Sequence, residues 1–201
     1  MNNLETILPL LNFSDSDDKF YFIQIYKRRK DNPGMERDME VLNNFYIYTE
    51  DQLLRRFPTI KKICDDNNAR AYIRLNRRSD RKIALQSLAR LATMIASDQF
   101  KMRNLYDSIA GEFHSETDKT WIIDIDYKDF KGRESTLEII HRSIKKLQID
   151  AKKEPLMFII PTKNGYHLIT RPFNLKMLEP LQLGGTRFDI HKDNPTILYT
   201  P

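Results

Sequence analysis

The sequence predicts one α/β (α+β) domain with a mixed sheet, and three observations lead to that class. Short runs of aromatic and β-branched residues alternate with longer segments whose apolar residues recur at helical spacing. The 201 residues are enough to bury a sizeable core. The pattern shows no repeat and no evident linker. We therefore expect a single domain over 1–201, with an N-terminal α/β part of about 1–115 and a second part of about 116–201.

The elements of the N-terminal part follow from residue type and spacing. FYFIQIY at 20–26 and NFYIY at 44–48 are typical of strands, with a DNPG turn between them. Two helices are expected, one capped by Thr49 and one by Ser79, with a strand at 69–76 between them. The second helix carries an apolar stripe made of Ile83, Leu85, Leu88, Leu91, Ala92 and Ile95. A stripe of this kind is typical of a helix that packs on a core.

The second part is a series of strands with helices between them. The runs at 156–162 and 165–171 are separated by Lys163 and Asn164, and the KNG turn between them predicts a hairpin. The other predicted elements are a strand at 120–126, helices at 135–147 and about 174–181, and short strands at 187–191 and 196–200.

Composition limits where the protein works and what it binds. The formal charge is +5, from 33 Lys and Arg against 28 Asp and Glu, which tolerates an anionic partner without requiring one. The single cysteine, Cys64, cannot form an internal disulfide, and we see neither a secretory signal pattern nor an apolar run long enough to span a bilayer. We expect a soluble, cytoplasmic protein without a membrane partner.

The clearest candidate for chemistry is the D-x-D pair in TWIIDID. Residues two apart on a strand point to the same face, so Asp124 and Asp126 would present two carboxylates side by side. Adjacent like charges repel, and a divalent cation between them removes the repulsion. Hard oxygen ligands of this type favour Mg²⁺ or Mn²⁺. The alternative is that one aspartate caps the next segment and the other is solvated at a strand end.

A histidine on the later hairpin is the second candidate. His167 and Gly165 would share one strand face, and the glycine would let a ligand approach the backbone closely. Lys163 and Arg171 flank the histidine with positive charge, so phosphate is the natural ligand for this group. The alternative is a packed, hydrogen-bonded core histidine.

A third acid is expected in RFDIHKDNP. Asp189 follows an apolar residue in a short strand, and Asp193 lies in the turn after it. Either carboxylate could complete a three-acid metal site. We favour Asp189, because a strand position is held more rigidly than a turn.

These three motifs, WIIDID, GYH and FD, resemble in order and strand context the signature of the archaeo-eukaryotic primase superfamily. The resemblance covers roughly residues 120–191. It implies an RRM-like catalytic sheet joined to an N-terminal α/β unit. It also implies that Asp124, Asp126 and Asp189 bind two divalent metal ions, and that His167 contacts the phosphates of an incoming nucleotide.

The activity implied by this resemblance is metal-dependent nucleotidyl transfer, in which a small DNA primase or primase-polymerase makes primers on single-stranded DNA from nucleoside triphosphates. Such a catalytic domain would work with a helicase or a larger replication protein, in a viral or mobile-element system. Two alternatives stay open. A nuclease or other phosphoryl-transfer enzyme would use the same carboxylates, and an inactive primase-like domain would only bind nucleic acid.

The basic run RLNRRSDRK at 74–82 then has a candidate role. At a strand end that leads into a helix N-terminus, Arg74, Arg77 and Arg78 could face a template or a triphosphate. The alternative is a solvated charged surface.

Overall fold

The computed structural model describes residues 1–14, 18–100, 103–114, 119–126, 156–175 and 189–201. These residues form a mixed α+β fold with two antiparallel sheets, so the expected single mixed sheet is wrong. The chain divides into two compact units, residues 1–117 with 197–201 and residues 118–196. Within the described ranges, no helix has both the length and the apolar character needed to cross a membrane.

The described elements follow the chain in this order: α1 (Leu4–Ile7), a 3₁₀ turn (Leu8–Leu10), β1 (Lys19–Arg28), β2 (Met39–Ile47), α2 (Glu50–Asn67), β3 (Arg70–Ile73), β4 (Arg78–Ser79), α3 (Asp80–Ala96), α4 (Leu105–Glu112), β5 (Trp121–Asp126), β6 (Leu156–Pro161), β7 (Gly165–Thr170), β8 (Asp189–His191) and β9 (Thr196–Tyr199). The first sheet has the strand order β2-β1-β3-β9, with β4 paired to β1, and the second has the order β6-β7-β5-β8. The predicted helix at 135–147, and most of the one predicted at 174–181, lie outside the described residues.

Both predicted helix caps of the N-terminal part are confirmed. The side chain of Thr49 accepts a hydrogen bond from the backbone N–H of Gln52, and that of Ser79 accepts one from Lys82. Each bond satisfies a backbone donor that the first helical turn would otherwise leave unpaired. The caps therefore fix where α2 and α3 begin.

The first sheet is built around β1, which is rich in aromatic and aliphatic side chains. Phe20 and Phe22 are fully buried, and with Ile83 of α3 and Ile109 of α4 they form one apolar cluster. The two ends of the chain meet at the edge of this sheet. The amino group of Met1 donates to the carbonyl oxygen of Thr200 at 2.6 Å, next to β9.

The apolar stripe of α3 is not packed as its spacing predicts. Ile83 is buried, whereas Leu85, Leu88 and Ile95 are 59, 65 and 48% exposed. The reason is that α4 lies on a different side of α3, where Arg90 donates two hydrogen bonds to the carboxylate of Glu112 at 2.9 and 2.7 Å. One apolar side of α3 is therefore exposed.

The second sheet contains the predicted hairpin, whose strand β6 lies at one edge. Strands β6 and β7 pair antiparallel, and the backbone N–H of Thr162 donates to the carbonyl of Gly165 at 2.9 Å to close the turn. Ile123, Ile125 and Leu168 point to one side of this sheet and are buried. The opposite side carries the polar residues described next.

Candidate functional site

Three of the predicted site residues lie in one row across the second sheet. Asp124 is at the middle of β5, and its direct partner on one side is His167 of β7. Its direct partner on the other side is Asp189 of β8. Residues directly opposite in an antiparallel pair share a face, with Cβ atoms about 5 Å apart. Three motifs separated by up to 65 residues of sequence thus meet on one face of one sheet.

Asp126 lies next to this row, two residues along β5 from Asp124. Its direct partner on β7 is Gly165, as the predicted shared face requires. Asp124 keeps 41% of its side chain exposed, Asp126 is half-buried, and Asp189 is exposed. The carboxylates therefore border solvent, where a ligand can reach them.

The imidazole of His167 is held between two oxygen groups. Its Nδ1 lies 2.9 Å from the hydroxyl oxygen of Thr196, within hydrogen-bond distance. Its Nε2 lies 3.6 Å from Oδ1 of Asp124, slightly beyond a hydrogen bond. Only 12% of the side chain is exposed. The ring thus has a fixed orientation, with one nitrogen directed toward the row of acids.

Burial governs the charge state of His167. Loss of hydration lowers the pKa of the imidazole below its usual value, and the nearby His191 lowers it further. The carboxylates of Asp124 and Asp126 oppose this shift, but burial is the largest contribution. The imidazole is therefore neutral at neutral pH and has one N–H to donate.

The chemistry of the carboxylates fits a hard divalent cation, while their present arrangement is open. Among the described residues, no group of three or more His, Cys, Asp or Glu side chains is arranged to hold a metal ion. The side chains of Asp124 and Asp189 can still converge by rotation about χ1 and χ2, since the Cβ atoms of directly paired residues are only about 5 Å apart. Asp124, Asp126 and Asp189 are the oxygen ligands that such a cation would use.

Gly165 has a different role from the one that the sequence indicates. A Cβ atom added there would lie 1.7 Å from the carbonyl oxygen of Ile125 and 2.7 Å from its carbonyl carbon. The glycine therefore lets β5 and β7 approach each other. The open space that we expected for a ligand at this position is occupied by the backbone of β5.

The two predicted phosphate-binding cations do not gather at His167. Lys163 lies in the turn before β7 and Arg171 directly after the last residue of that strand. The six residues of β7 lie between them and span about 20 Å at the usual rise per residue. The two cations therefore lie beyond opposite ends of the strand that carries His167.

Position in the sheet distinguishes the two acids of the third motif. Asp189 is the direct partner of Asp124. Strand β8 ends at His191, which pairs with Ile122 and not with Asp124. Asp193 comes two residues after this end, so it lies farther from Asp124 along the sheet. The preferred third acid, Asp189, is the one that the structure brings into the row.

The basic run at 74–82 is largely an interior structure. Arg78 is completely buried, and its guanidinium donates to the carbonyl oxygen of Ala110 at 2.7 Å and to that of Asn76. Arg77 is also buried and lies over the ring of Tyr21, while Arg74 is half-buried. Burial conflicts with the predicted nucleic-acid contact of Arg77 and Arg78, because an enclosed guanidinium cannot reach a phosphate.

Sequence reasoning missed two residues of the site. Thr196 and His191 were placed on predicted short strands but were given no role. Thr196 binds His167 directly, and His191 is close enough to influence its pKa. Neither residue belongs to a motif, so only the pairing of β5, β7 and β8 could have found His191.

The cysteine is unsuited to nucleophilic chemistry. Cys64 is buried in α2, and burial, aided by the charge of Asp65, raises the pKa of its thiol to about 12. A thiol that stays protonated at neutral pH is a poor nucleophile.

Comparisons of the chain with protein-family models, with curated proteins and with solved structures find no match. A functional assignment therefore depends on the motif residues and on the sheet that carries them.

Proposed function

We propose that this chain is a metal-dependent nucleotidyltransferase that resembles a small DNA primase or primase-polymerase and extends nucleic acid on a single-stranded DNA template. The observation that carries the proposal is the row formed by Asp124, His167 and Asp189, with Asp126 beside it. The three motifs lie at separate places in the chain, up to 65 residues apart. An accidental set of motifs has no reason to fall at one level of one sheet.

The strand order supports the same proposal. Numbered along the chain from β5 to β8, the second sheet has the order 2-3-1-4, which is the order of an RRM-like sheet. The helix predicted at 135–147 would connect β5 to β6, and the helix predicted at 174–181 would connect β7 to β8. Together they would give the β-α-β-β-α-β pattern of this class of fold.

The roles of the residues follow from their chemistry. Asp124, Asp126 and Asp189 offer the hard oxygen ligands that Mg²⁺ and Mn²⁺ prefer. When bound, a pair of such ions supplies charge neutralisation at the phosphates and lowers the pKa of the attacking 3′-hydroxyl. If the hydroxyl of Thr196 donates to Nδ1, the proton of His167 is on Nε2. His167 can then donate that hydrogen bond to a phosphate oxygen of the nucleotide.

The test is template-dependent incorporation of labelled nucleotides with Mg²⁺ or Mn²⁺, for the wild type and for Asp124→Asn. We expect the substitution to lower incorporation by at least about 100-fold, since even residues one shell away from a metal often contribute 10-fold to 100-fold. The melting temperature should stay equal or rise, because one of two neighbouring like charges is removed. The matched control is Asp193→Asn, a nearby carboxylate outside the row, which should retain activity.

The result also separates the alternatives. Degradation of the template by the wild type, abolished in Asp124→Asn, would replace the proposal with a nuclease. Binding of single-stranded DNA without any turnover, unchanged in Asp124→Asn, would leave a nucleic-acid-binding domain. Marked unfolding of Asp124→Asn would assign the aspartate a structural role.

A further inference from the structure

We propose that the exposed face of α3 is a self-association surface, on which the α3 helix of a second copy of this chain lies antiparallel. This face, called the α3 seam below, consists of Leu85, Leu88, Ala92 and Ile95. The proposal concerns the N-terminal unit and is independent of the chemistry proposed for the second sheet.

The spacing of the α3 seam specifies a helix as its partner. The intervals between its members are three, four and three residues, which is the a/d repeat by which one helix packs against another. The flanking positions 84, 89 and 96 are alanines, so a partner helix can approach closely without meeting charge. A helix surface of this composition is normally covered.

The α3 seam is not the side by which α3 joins its own unit. At 100° per residue, the seam is centred about 160° from Ile83. Ile83 is buried in the core, and Arg90, on the same side as Ile83, binds Glu112 of α4. Within the described residues, the unit therefore contacts one side of α3, while Leu85 and Leu88 on the opposite side are more than half exposed.

Side-chain size favours an antiparallel copy. With the two helices crossing near position 90, Leu88 of one copy lies opposite Ala92 of the other, and Leu85 lies opposite Ile95. A large residue then meets a small one at the centre, as close packing requires. A parallel pair would place Ala92 against Ala92 and leave a gap there.

Charge favours the same orientation. Arg81 is exposed one turn before the α3 seam, and Asp98 is exposed just after the end of the helix. In the antiparallel pair, Arg81 of each copy lies at the level of residues 98 and 99 of the other, so opposite charges meet twice. A parallel pair would bring Arg81 to Arg81 and Asp98 to Asp98. The surface is thus self-complementary, as a two-fold interface must be.

The expected association is weak and reversible. One pair of helices of this length buries less than the roughly 1,600 Å² of a standard stable interface. We therefore expect a monomer–dimer equilibrium in the micromolar range rather than a permanent dimer.

The first test is sedimentation equilibrium of the full chain from micromolar to several hundred micromolar. The wild type should approach twice the monomer mass as its concentration rises. Leu88→Glu places a charge at the centre of the α3 seam in both copies and should raise the dimer dissociation constant by at least about 30-fold. The control is Leu54→Glu, an exposed leucine on α2 that should leave the equilibrium unchanged. Both variants replace exposed side chains, and equal melting curves will establish that they fold.

The second test addresses orientation. Arg81→Glu and Asp98→Lys should each weaken association by about fivefold, and the double variant should regain the wild-type constant, because the swapped charges meet again in an antiparallel dimer. A double variant weaker than either single variant would overturn the antiparallel arrangement. A wild type that stays monomeric at every concentration overturns the proposal. So does a monomer that binds anionic lipid vesicles through Leu88, since the occupant would then be a membrane surface.

Discussion

Two charged clusters of this molecule both stand out in the sequence as candidate binding sites, but the fold buries one and leaves the other at the surface. The basic cluster at Arg77 and Arg78 lies inside the N-terminal unit, where the guanidinium of Arg78 binds carbonyl oxygens. The acidic cluster at Asp124 and Asp189 lies on a sheet face that borders solvent. One cluster is buried, and its Arg78 is hydrogen-bonded within the protein. The other keeps like charges side by side.

The difference indicates how to separate structural from functional charge. A buried guanidinium with carbonyl partners stabilises the fold, because its donors would otherwise be unsatisfied. Carboxylates grouped on an exposed sheet face keep oxygen atoms that a ligand can reach, and such groups are typical of functional sites. The acidic cluster is therefore the better candidate for chemistry, although the basic run has more charges.

The largest effect is expected at Arg78. Arg78→Met keeps much of the side-chain volume but removes the donors to Ala110 and Asn76, so two buried carbonyl groups lose a partner. We expect the free energy of unfolding to fall by about 3 kcal/mol. The matched control is Arg56→Met on the exposed side of α2, which should change it by less than about 0.5 kcal/mol. Urea denaturation measures both. If the two variants were equally stable, the hydrogen bonds of Arg78 would contribute no more to stability than an exposed charge does.

An intermediate loss of stability is expected for substitution of Gly165. The close approach of this glycine to β5 helps set the register in which His167 pairs with Asp124. Gly165→Ala would bring a Cβ atom into the carbonyl group of Ile125, and the strands must shift to accommodate it. We expect a loss of about 2 kcal/mol in unfolding free energy and lower nucleotide incorporation.

The matched control for this glycine is Gly111→Ala in α4. There an added Cβ would find its nearest neighbour at an ordinary 3.9 Å, and alanine favours a helix, so stability should be unchanged or higher. Thermal melting and an incorporation assay of the two variants give the comparison. A stable, active Gly165→Ala would mean that the pairing of β5 with β7 does not depend on this glycine.

The smallest effect is expected at Thr196. Thr196→Val removes the hydroxyl that binds Nδ1 of His167, which should cost about 1 kcal/mol of stability and alter the tautomer of the imidazole. Nitrogen chemical shifts of His167 report the tautomer directly. A purely structural threonine would leave those shifts unaltered.

Thr170→Val provides the control for this substitution. The hydroxyl oxygen of Thr170 is buried on β7 and has no hydrogen-bond partner among the described residues. Its removal should be neutral or stabilising. If both variants lose the same stability and neither changes the His167 signal, Thr196 does not orient the imidazole.

Local features of this chain were predictable from the sequence. The caps at Thr49 and Ser79 are confirmed, because a cap involves residues only three positions apart. The shared strand face of Asp124 and Asp126 is also confirmed, since the period of a strand is two. The hairpin after Pro161 followed from its turn residues.

Long-range features were decided by the tertiary structure alone. The sequence of α3 cannot tell which of its apolar sides packs on Phe20 and which stays exposed, because both have helical spacing. The composition of residues 74–82 likewise does not reveal that Arg78 is buried and donates to a backbone carbonyl oxygen of α4. The row of Asp124, His167 and Asp189 depends on the registers of β5 with β7 and with β8, and a shift of one residue in either would turn a side chain to the other face. Register is fixed by packing between segments far apart in the chain, which no local pattern records.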